Sequence, residues 1–332
     1  METSPVIRSV DGRLGQIVLN RPAAINALTT EMIGIIGDTL HDWAGDERVR
    51  TVLIRGAGER GLCAGGDLRA MHADAVSGGA GTLEFFRREY DLNALIAEYP
   101  KPVVAWMDGL VMGGGIGVSA HASLRVVTER SRLAMPEVGI GLHPDVGGSW
   151  LLSHAPGELG THLALTGTAI GAGDAITVGL ADCFVRAGRL PYLIEGLTGM
   201  AAGAAVASVT GAPPAGDLGG ARAWIDECYA GDDLAVIRER LAGHPSAGAQ
   251  AAAKEIDGKS PTSLAVTLRS LRTAAGMPGL RAALDQELRL SAALLRLPDL
   301  AEGIRAQIID KDRRPRWSPV PPGLVESLFR SS

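Results

Sequence analysis

Two dense glycine clusters, each set just behind an apolar run, constrain this chain more than any other feature. Cys63-Ala64-Gly65-Gly66-Asp67 follows Thr51-Val52-Leu53-Ile54, and Met112-Gly113-Gly114-Gly115-Ile116-Gly117 follows Val103-Val104-Ala105-Trp106-Met107. Short apolar runs bounded by glycine read as buried strands. Glycine lets a main-chain N–H approach a ligand with no Cβ in the way. One cluster at each of two strand ends suggests two amides converging on one oxygen, the oxyanion-hole arrangement of acyl chemistry. The chain therefore reads first as an enzyme acting on a carbonyl.

The surrounding pattern alternates strands with helices. Residues 16–19, 49–54, 103–107 and 124–128 are apolar strand-like runs. Thr29 or Thr30 can cap a helix reaching about Trp43, with Met32, Ile35, Ile36 and Leu40 at helical spacing. A long helix from Thr82 to just before Pro100 carries Leu83, Phe86, Tyr90 and Ile96, and a Gly-rich helix runs from Gly113 to about Ala122. Such alternation predicts α/β architecture with parallel strands. After about Gly160 no further strand is predicted, and helical patterns dominate. The Gly/Ala/Pro-rich stretch 200–220 reads as a mobile connection. Ser260-Pro261 is a cap followed by a first-turn proline. A later helix shows Leu280, Leu284, Leu288 and Leu295 on one side.

With 332 residues, 46% of them hydrophobic, the chain can bury a sizeable interior in one large domain or two. Thirty-two basic against 37 acidic residues leave a net charge of −5, which argues against nucleic acid as a partner. No apolar stretch is long enough for a membrane span, and residues 1–5 lack the pattern of a signal peptide. Cys63, Cys183 and Cys228 are too few and scattered for a disulfide framework or zinc site. The expectation is a reduced, cytoplasmic protein that binds no metal.

Several motifs carry chemistry, each with a plainer reading beside it. Gly56-Ala57-Gly58-Glu59-Arg60-Gly61 matches a dinucleotide fingerprint, but the next residues, Leu62-Cys63-Ala64-Gly65-Gly66, continue a helix poorly, so a mobile surface loop is favoured. Gly113-Gly114-Gly115 suits close helix-to-strand packing, or an amide at a helix N-terminus that favours negative charge. Glu137 and Asp145 lie eight positions apart on a loop with Gly139 and Gly141, which can bring both carboxylates into one cavity for acid–base work. Otherwise Asp145 caps a helix beginning near Val146, and Glu137 sits on a solvated turn. Taken alone, Glu89 is a solvated helix charge. The seven histidines form no metal pattern, and His121 and His143 read as structural.

Together these stretches resemble the crotonase (enoyl-CoA hydratase/isomerase) superfamily. The matching segments are Leu19-Asn20-Arg21-Pro22 with Asn26-Ala27-Leu28, then Cys63-Ala64-Gly65-Gly66-Asp67-Leu68, residues 109–117, and Met135-Pro136-Glu137. The resemblance implies a spiral core of ββα turns over residues 1–195, holding an acyl-CoA site, and a helical C-terminal region over 196–332. It implies an acyl-CoA substrate whose thioester oxygen is held by the amides of Gly66 and Gly114, with Ala64 and Arg21 as further substrate-binding residues. Coenzyme A then enters as part of the substrate and no other cofactor is needed. Assembly as trimers or hexamers is the family habit.

A typical enoyl-CoA hydratase carries a glutamate two residues after its glycine triplet. This chain has Gly117 there, which speaks against ordinary hydration. The nearer resemblance is to the 3-hydroxyisobutyryl-CoA hydrolase branch. It is carried by Phe85-Phe86-Arg87-Arg88-Glu89-Tyr90, Gly141-Leu142-His143-Pro144-Asp145-Val146-Gly147-Gly148, Ala164-Leu165-Thr166-Gly167, Ser260-Pro261-Thr262-Ser263-Leu264 and Ile309-Asp310-Lys311-Asp312. That branch places its substrate contacts on Glu89, Gly114, Glu137 and Asp145. The implied reaction is hydrolysis of a short 3-hydroxyacyl-CoA in valine degradation, with Glu137 as nucleophile or general base and Asp145 assisting. The rivals are an enoyl-CoA hydratase/isomerase of fatty-acid oxidation using Glu137 and Asp145, and a catalytically silent acyl-CoA-binding module.

Overall fold

A computed structural model describes residues 4–330. Its strands are β1 (Val6–Asp11), β2 (Leu14–Leu19), β3 (Thr51–Gly56), β4 (Gly61–Cys63), β5 (Val103–Met107), β6 (Leu110–Met112), β7 (Leu124–Val127), β8 (Arg132–Ala134) and β9 (Cys183–Phe184). The first helices are α1 (Thr30–Ala44), α2 (Leu68–Ser77), α3 (Gly81–Ala97), α4 (Gly114–Gly117), α5 (Gly148–Ser153) and α6 (Leu159–Thr166). Then come α7 (Ala172–Thr177), α8 (Leu190–Gly199), α9 (Ala202–Val209), α10 (Leu218–Tyr229) and α11 (Leu234–Gly243). Last are α12 (Ala247–Asp257), α13 (Pro261–Ala274), α14 (Leu280–Leu294), α15 (Pro298–Ile304) and α16 (Leu324–Leu328).

The described residues divide into two compact units, one of residues 4–66, 88–134 and 170–216, the other of 67–87, 135–169 and 217–330. The first unit contains both sheets. Strand order in the larger sheet is β1-β2-β3-β5-β7-β9, and the smaller is β4-β6-β8. β1 runs antiparallel to β2, Val6 facing Leu19, and the remaining pairs are parallel. Three strands of the larger sheet, β3, β5 and β7, are each followed by a short strand of the second sheet, which gives the repeated spiral of the α/β class expected above.

The apolar runs account for this. β5 is buried at every position, as a strand covered on both faces must be. Leu14, Leu53, Val104, Trp106 and Val126 form one core with Leu193 of α8 and Val206 of α9. α1 begins where expected, the Thr29 hydroxyl accepting the Met32 N–H at 3.2 Å. Its Trp43 ring lies so close to β2 that a Cβ at Gly15 would meet it at 2.6 Å.

The second unit is helical. α13 starts at the expected cap, Ser260 Oγ accepting from Ser263 N–H (3.2 Å) under a first-turn proline. Arg272 ties α13 to Glu158 at 2.9 Å and to the Tyr229 carbonyl at 3.0 Å.

Three expectations need correction. α4 is a single turn, not a helix to residue 122, because three consecutive glycines propagate helix poorly. The stretch 200–220 is not simply a connection: its Ala/Val-rich half forms α9 and buries Ala205 and Val206 in the core. Strands also continue past residue 160, since β9 adds a parallel rung beside β7.

Candidate active site

In the first unit the two glycine clusters lie side by side. Gly65 adopts φ +101°, a conformation open to glycine, and an ideal Cβ there would sit 3.2 Å from the Met112 carbonyl and 3.6 Å from the Gly114 nitrogen. Gly115 packs more tightly still, with the Cys63 carbonyl 2.5 Å from where its Cβ would be. The loop before α1 holds the first cluster in place. Leu28 N–H donates to Gly65 O at 2.8 Å, Ala64 N–H to Ile25 O at 3.0 Å, and Leu28 forms a parallel bridge with Gly66. Asn26 braces that loop, accepting the Arg21 N–H at 2.9 Å and donating to the Ala57 and Gly61 carbonyls at 3.0 Å each. Arg21 in turn donates from Nη1 to Ala27 O (2.5 Å).

Gly114 begins α4, so its N–H has no acceptor one turn back within the helix. A one-turn helix carries little macrodipole, so the polarity here belongs to individual amides. The space a side chain at 114 would need is occupied: a Cβ would collide with Glu89 Oε1 and lie 3.1 Å from Leu28 Cδ1. Glu89 is therefore no solvated helix charge. It is 2% exposed and directs its carboxylate at the second glycine cluster. Gly117, where hydratases carry a glutamate, is buried in the same turn. Cys63 lies within the first cluster, but burial pushes its thiol up to about 12, which removes it as a nucleophile.

In the second unit Glu137 opens the 3-10 turn Glu137–Gly139 and is 5% exposed, as is Asp145. Neither is a surface charge. The Glu137 carbonyl accepts from Ile140 and Leu142 N–H at 3.0 Å each, and Val138 O accepts the Ser260 N–H at 3.1 Å. Gly141 and Gly303 bring this loop into backbone contact with α15.

Asp145 does not cap the following helix. Gly147 is the N-cap of α5 and has no side chain. The amides there are taken instead by Glu287 of α14, whose Oε2 accepts Gly147 N–H (2.7 Å) while Oε1 accepts Ser149 N–H (2.9 Å) and its hydroxyl (2.5 Å). Glu287 is fully buried, and its carboxyl is pushed up to about 8, first by burial and further by Asp145, against the opposing effect of these hydrogen bonds. His143 is held down to about 4 by burial and is neutral. Its Nδ1 lies 3.0 Å from the Pro144 carbonyl and its Nε2 3.2 Å from Ser291 Oγ.

Glu287 is a residue that sequence reasoning missed. The leucine stripe drew attention to 280, 284, 288 and 295, whereas the buried face of α14 carries Ala283, Leu284, Glu287, Leu290, Ser291 and Leu294. A Glu and a Ser at i, i+4 between buried apolar residues is the signal that could have found it. Among the described residues no group of three or more His, Cys, Asp or Glu could hold a metal ion, and no helix is long and apolar enough to cross a membrane.

Comparisons with known proteins agree with these features. Residues 14–327 match the family described as Enoyl-CoA hydratase/isomerase. The 3-hydroxyisobutyryl-CoA hydrolase, mitochondrial, of Rattus norvegicus is 40% identical over 96% of this chain and 85% of its own length. The Homo sapiens protein of that name is 38% identical over 95% and 84%. Among solved structures, a carnitinyl-CoA dehydratase from Mycobacterium thermoresistibile superposes with TM-score 0.95 at 46% identity, covering 99% of this chain and 97% of that one. An enoyl-CoA hydratase from Rhodobacter sphaeroides gives 0.93 at 43%, covering 98% and 97%.

Proposed function

Because this chain belongs to the enoyl-CoA hydratase/isomerase (crotonase) family, an acyl-CoA enzyme family, we propose that it hydrolyses a short 3-hydroxyacyl-CoA thioester. The first candidate is 3-hydroxyisobutyryl-CoA, giving 3-hydroxyisobutyrate and CoA as in valine degradation. The observation that carries this reading is the buried Glu89 carboxylate facing Gly114, in a turn whose Gly117 lacks the hydratase glutamate. Relatives named as hydrolases at 38–40% identity over nearly the whole chain support it.

In this reading the Gly66 and Gly114 amides polarise the thioester carbonyl. Glu137 removes a proton from water as its oxygen attacks C1, or attacks C1 itself to form an anhydride that water opens. The tetrahedral oxyanion collapses and expels the CoA thiolate. A thiol pKa of about 8.5 makes that departure easy without a strong acid. Glu89 and Asp145 orient the 3-hydroxyl and the water, and Ala64 and Arg21 contribute to substrate binding. Three unpaired cysteines suit a reducing compartment such as the cytoplasm; the curated relatives carry the word mitochondrial in their names.

A second reading, hydration or dehydration of a CoA ester by Glu137 and Asp145, is favoured by the names of the two structural neighbours at 46% and 43% identity. The two are separated by offering both substrates. Hydrolysis releases free thiol from 3-hydroxyisobutyryl-CoA, whereas hydration consumes the enoyl absorbance of crotonyl-CoA and releases none.

A further inference from the structure

α3 carries a buried carboxamide for which the described residues supply no hydrogen-bond partner. Asn93 is 0% exposed, and among the described residues neither Oδ1 nor Nδ2 makes a hydrogen bond. Asn26, in the same unit and equally buried, shows what this chain does with a structural asparagine: it makes three hydrogen bonds to main chain. A buried carboxamide left unpaired on both sides is costly, and such groups in folded proteins call for a water, an ion or a ligand.

Its place in the helix says which. Residue 93 stands four positions after Glu89, on the same face of α3. Helical side chains lean toward the preceding turn, so the Asn93 amide covers the surface beside Glu89, whose carboxylate meets Gly114. An alcohol is one donor and an acceptor; a carboxyl oxygen accepts, and the amide NH2 only donates. The pair is matched to a hydroxyl.

We propose that Asn93 is a substrate-recognition residue, its Nδ2 donating to the 3-hydroxyl oxygen of the acyl group while Glu89 accepts the hydroxyl proton. The Asn93 carbonyl then takes a bound water. This deepens the acyl-CoA reading above and rests on it. Asn93 selects hydroxylated acyl chains over their deoxy counterparts, because a deoxy substrate leaves its amide buried and unsatisfied.

The test compares 3-hydroxyisobutyryl-CoA with isobutyryl-CoA, which lacks only the hydroxyl, on wild type and Asn93→Leu. Both kcat/KM and the binding constant are measured for each thioester. The proposal expects Asn93→Leu to lower kcat/KM for the hydroxylated thioester by ~10-fold or more while sparing isobutyryl-CoA, so that the preference collapses. A preference ratio equal to that of wild type overturns it, whether or not both rates fall together, since a structural residue would weaken both substrates alike. Should Asn93→Leu fail to fold, Asn93→Ala carries the same comparison. Absence of thiol release by the wild-type chain would refute the hydrolase reading alone; the ratio of binding constants would still decide the role of Asn93.

Discussion

Gly114 and Glu89 contend for one space in the structure. The missing side chain of Gly114 makes room for the Glu89 carboxylate, so the two positions are coupled. Gly114→Ala is expected to cost ~1–3 kcal/mol of stability through overpacking, read by chemical denaturation. Gly114→Ala/Glu89→Ala should recover much of that loss, leaving a clear interaction energy in the double-mutant cycle. Turnover should stay at least ~10²-fold down in both variants, because the single change displaces the amide and the double change removes the carboxylate that orients the substrate. Additive stability losses would show that Glu89 does not occupy that space. The glycine clusters announced this neighbourhood in the sequence. The partner did not: a charge flanked by Arg88 and Tyr90 on a helix looks solvated, and it gained a role only through family resemblance.

Among elements, α14 shows how a buried carboxyl group can replace a helix cap. Glu287 is shifted from 4.5 to about 8, so the folded state holds its proton at pH values where the unfolded chain has lost it. Its contribution to stability is complete below about 4.5 and is lost as the pH rises through about 8. His143 and His162 act in the opposite sense. Both are depressed from 6.5 to about 4, so their contribution is present above 6.5 and lost as the pH falls through about 4. Stability should therefore peak near pH 6.5 and decline toward pH 8. Denaturation midpoints across that range should show the decline in wild type and its disappearance in Glu287→Gln; an unchanged slope would contradict the assignment. A second test concerns α13. Ser260 Oγ accepts from Ser263 N–H and also donates to Asp299 Oδ2 at 2.6 Å, so Ser260→Ala should cost ~1–2 kcal/mol. A loss below a few tenths would mean the cap contributes little.

Over the whole molecule, legibility followed segment length. β2, β3, β5, β7 and α1 have enough residues to display a period, and each lies within two or three residues of its expected bounds. β4, β6 and β8 have three residues each, too few for any alternation, and they were invisible although they form the second sheet. β1 was missed because five of its six residues are exposed, as an edge strand allows. Packing of 67–87 and 135–169 with the C-terminal helices depends on long-range burial and leaves no local signature. The candidate site divides the same way. Glu137 and Asp145 stood out by residue type and spacing, whereas Glu287 and Asn93 matter only through burial, which no local pattern displays.

Whether it activates water or attacks C1 itself, Glu137 is the group proposed to drive thioester cleavage, and single-turnover thiol release measures that step. With enzyme in excess over 3-hydroxyisobutyryl-CoA, wild type should release stoichiometric CoA. Glu137→Gln should bind the thioester with little change yet release CoA at least ~10²-fold more slowly. Release by Glu137→Gln at the wild-type rate would contradict the account.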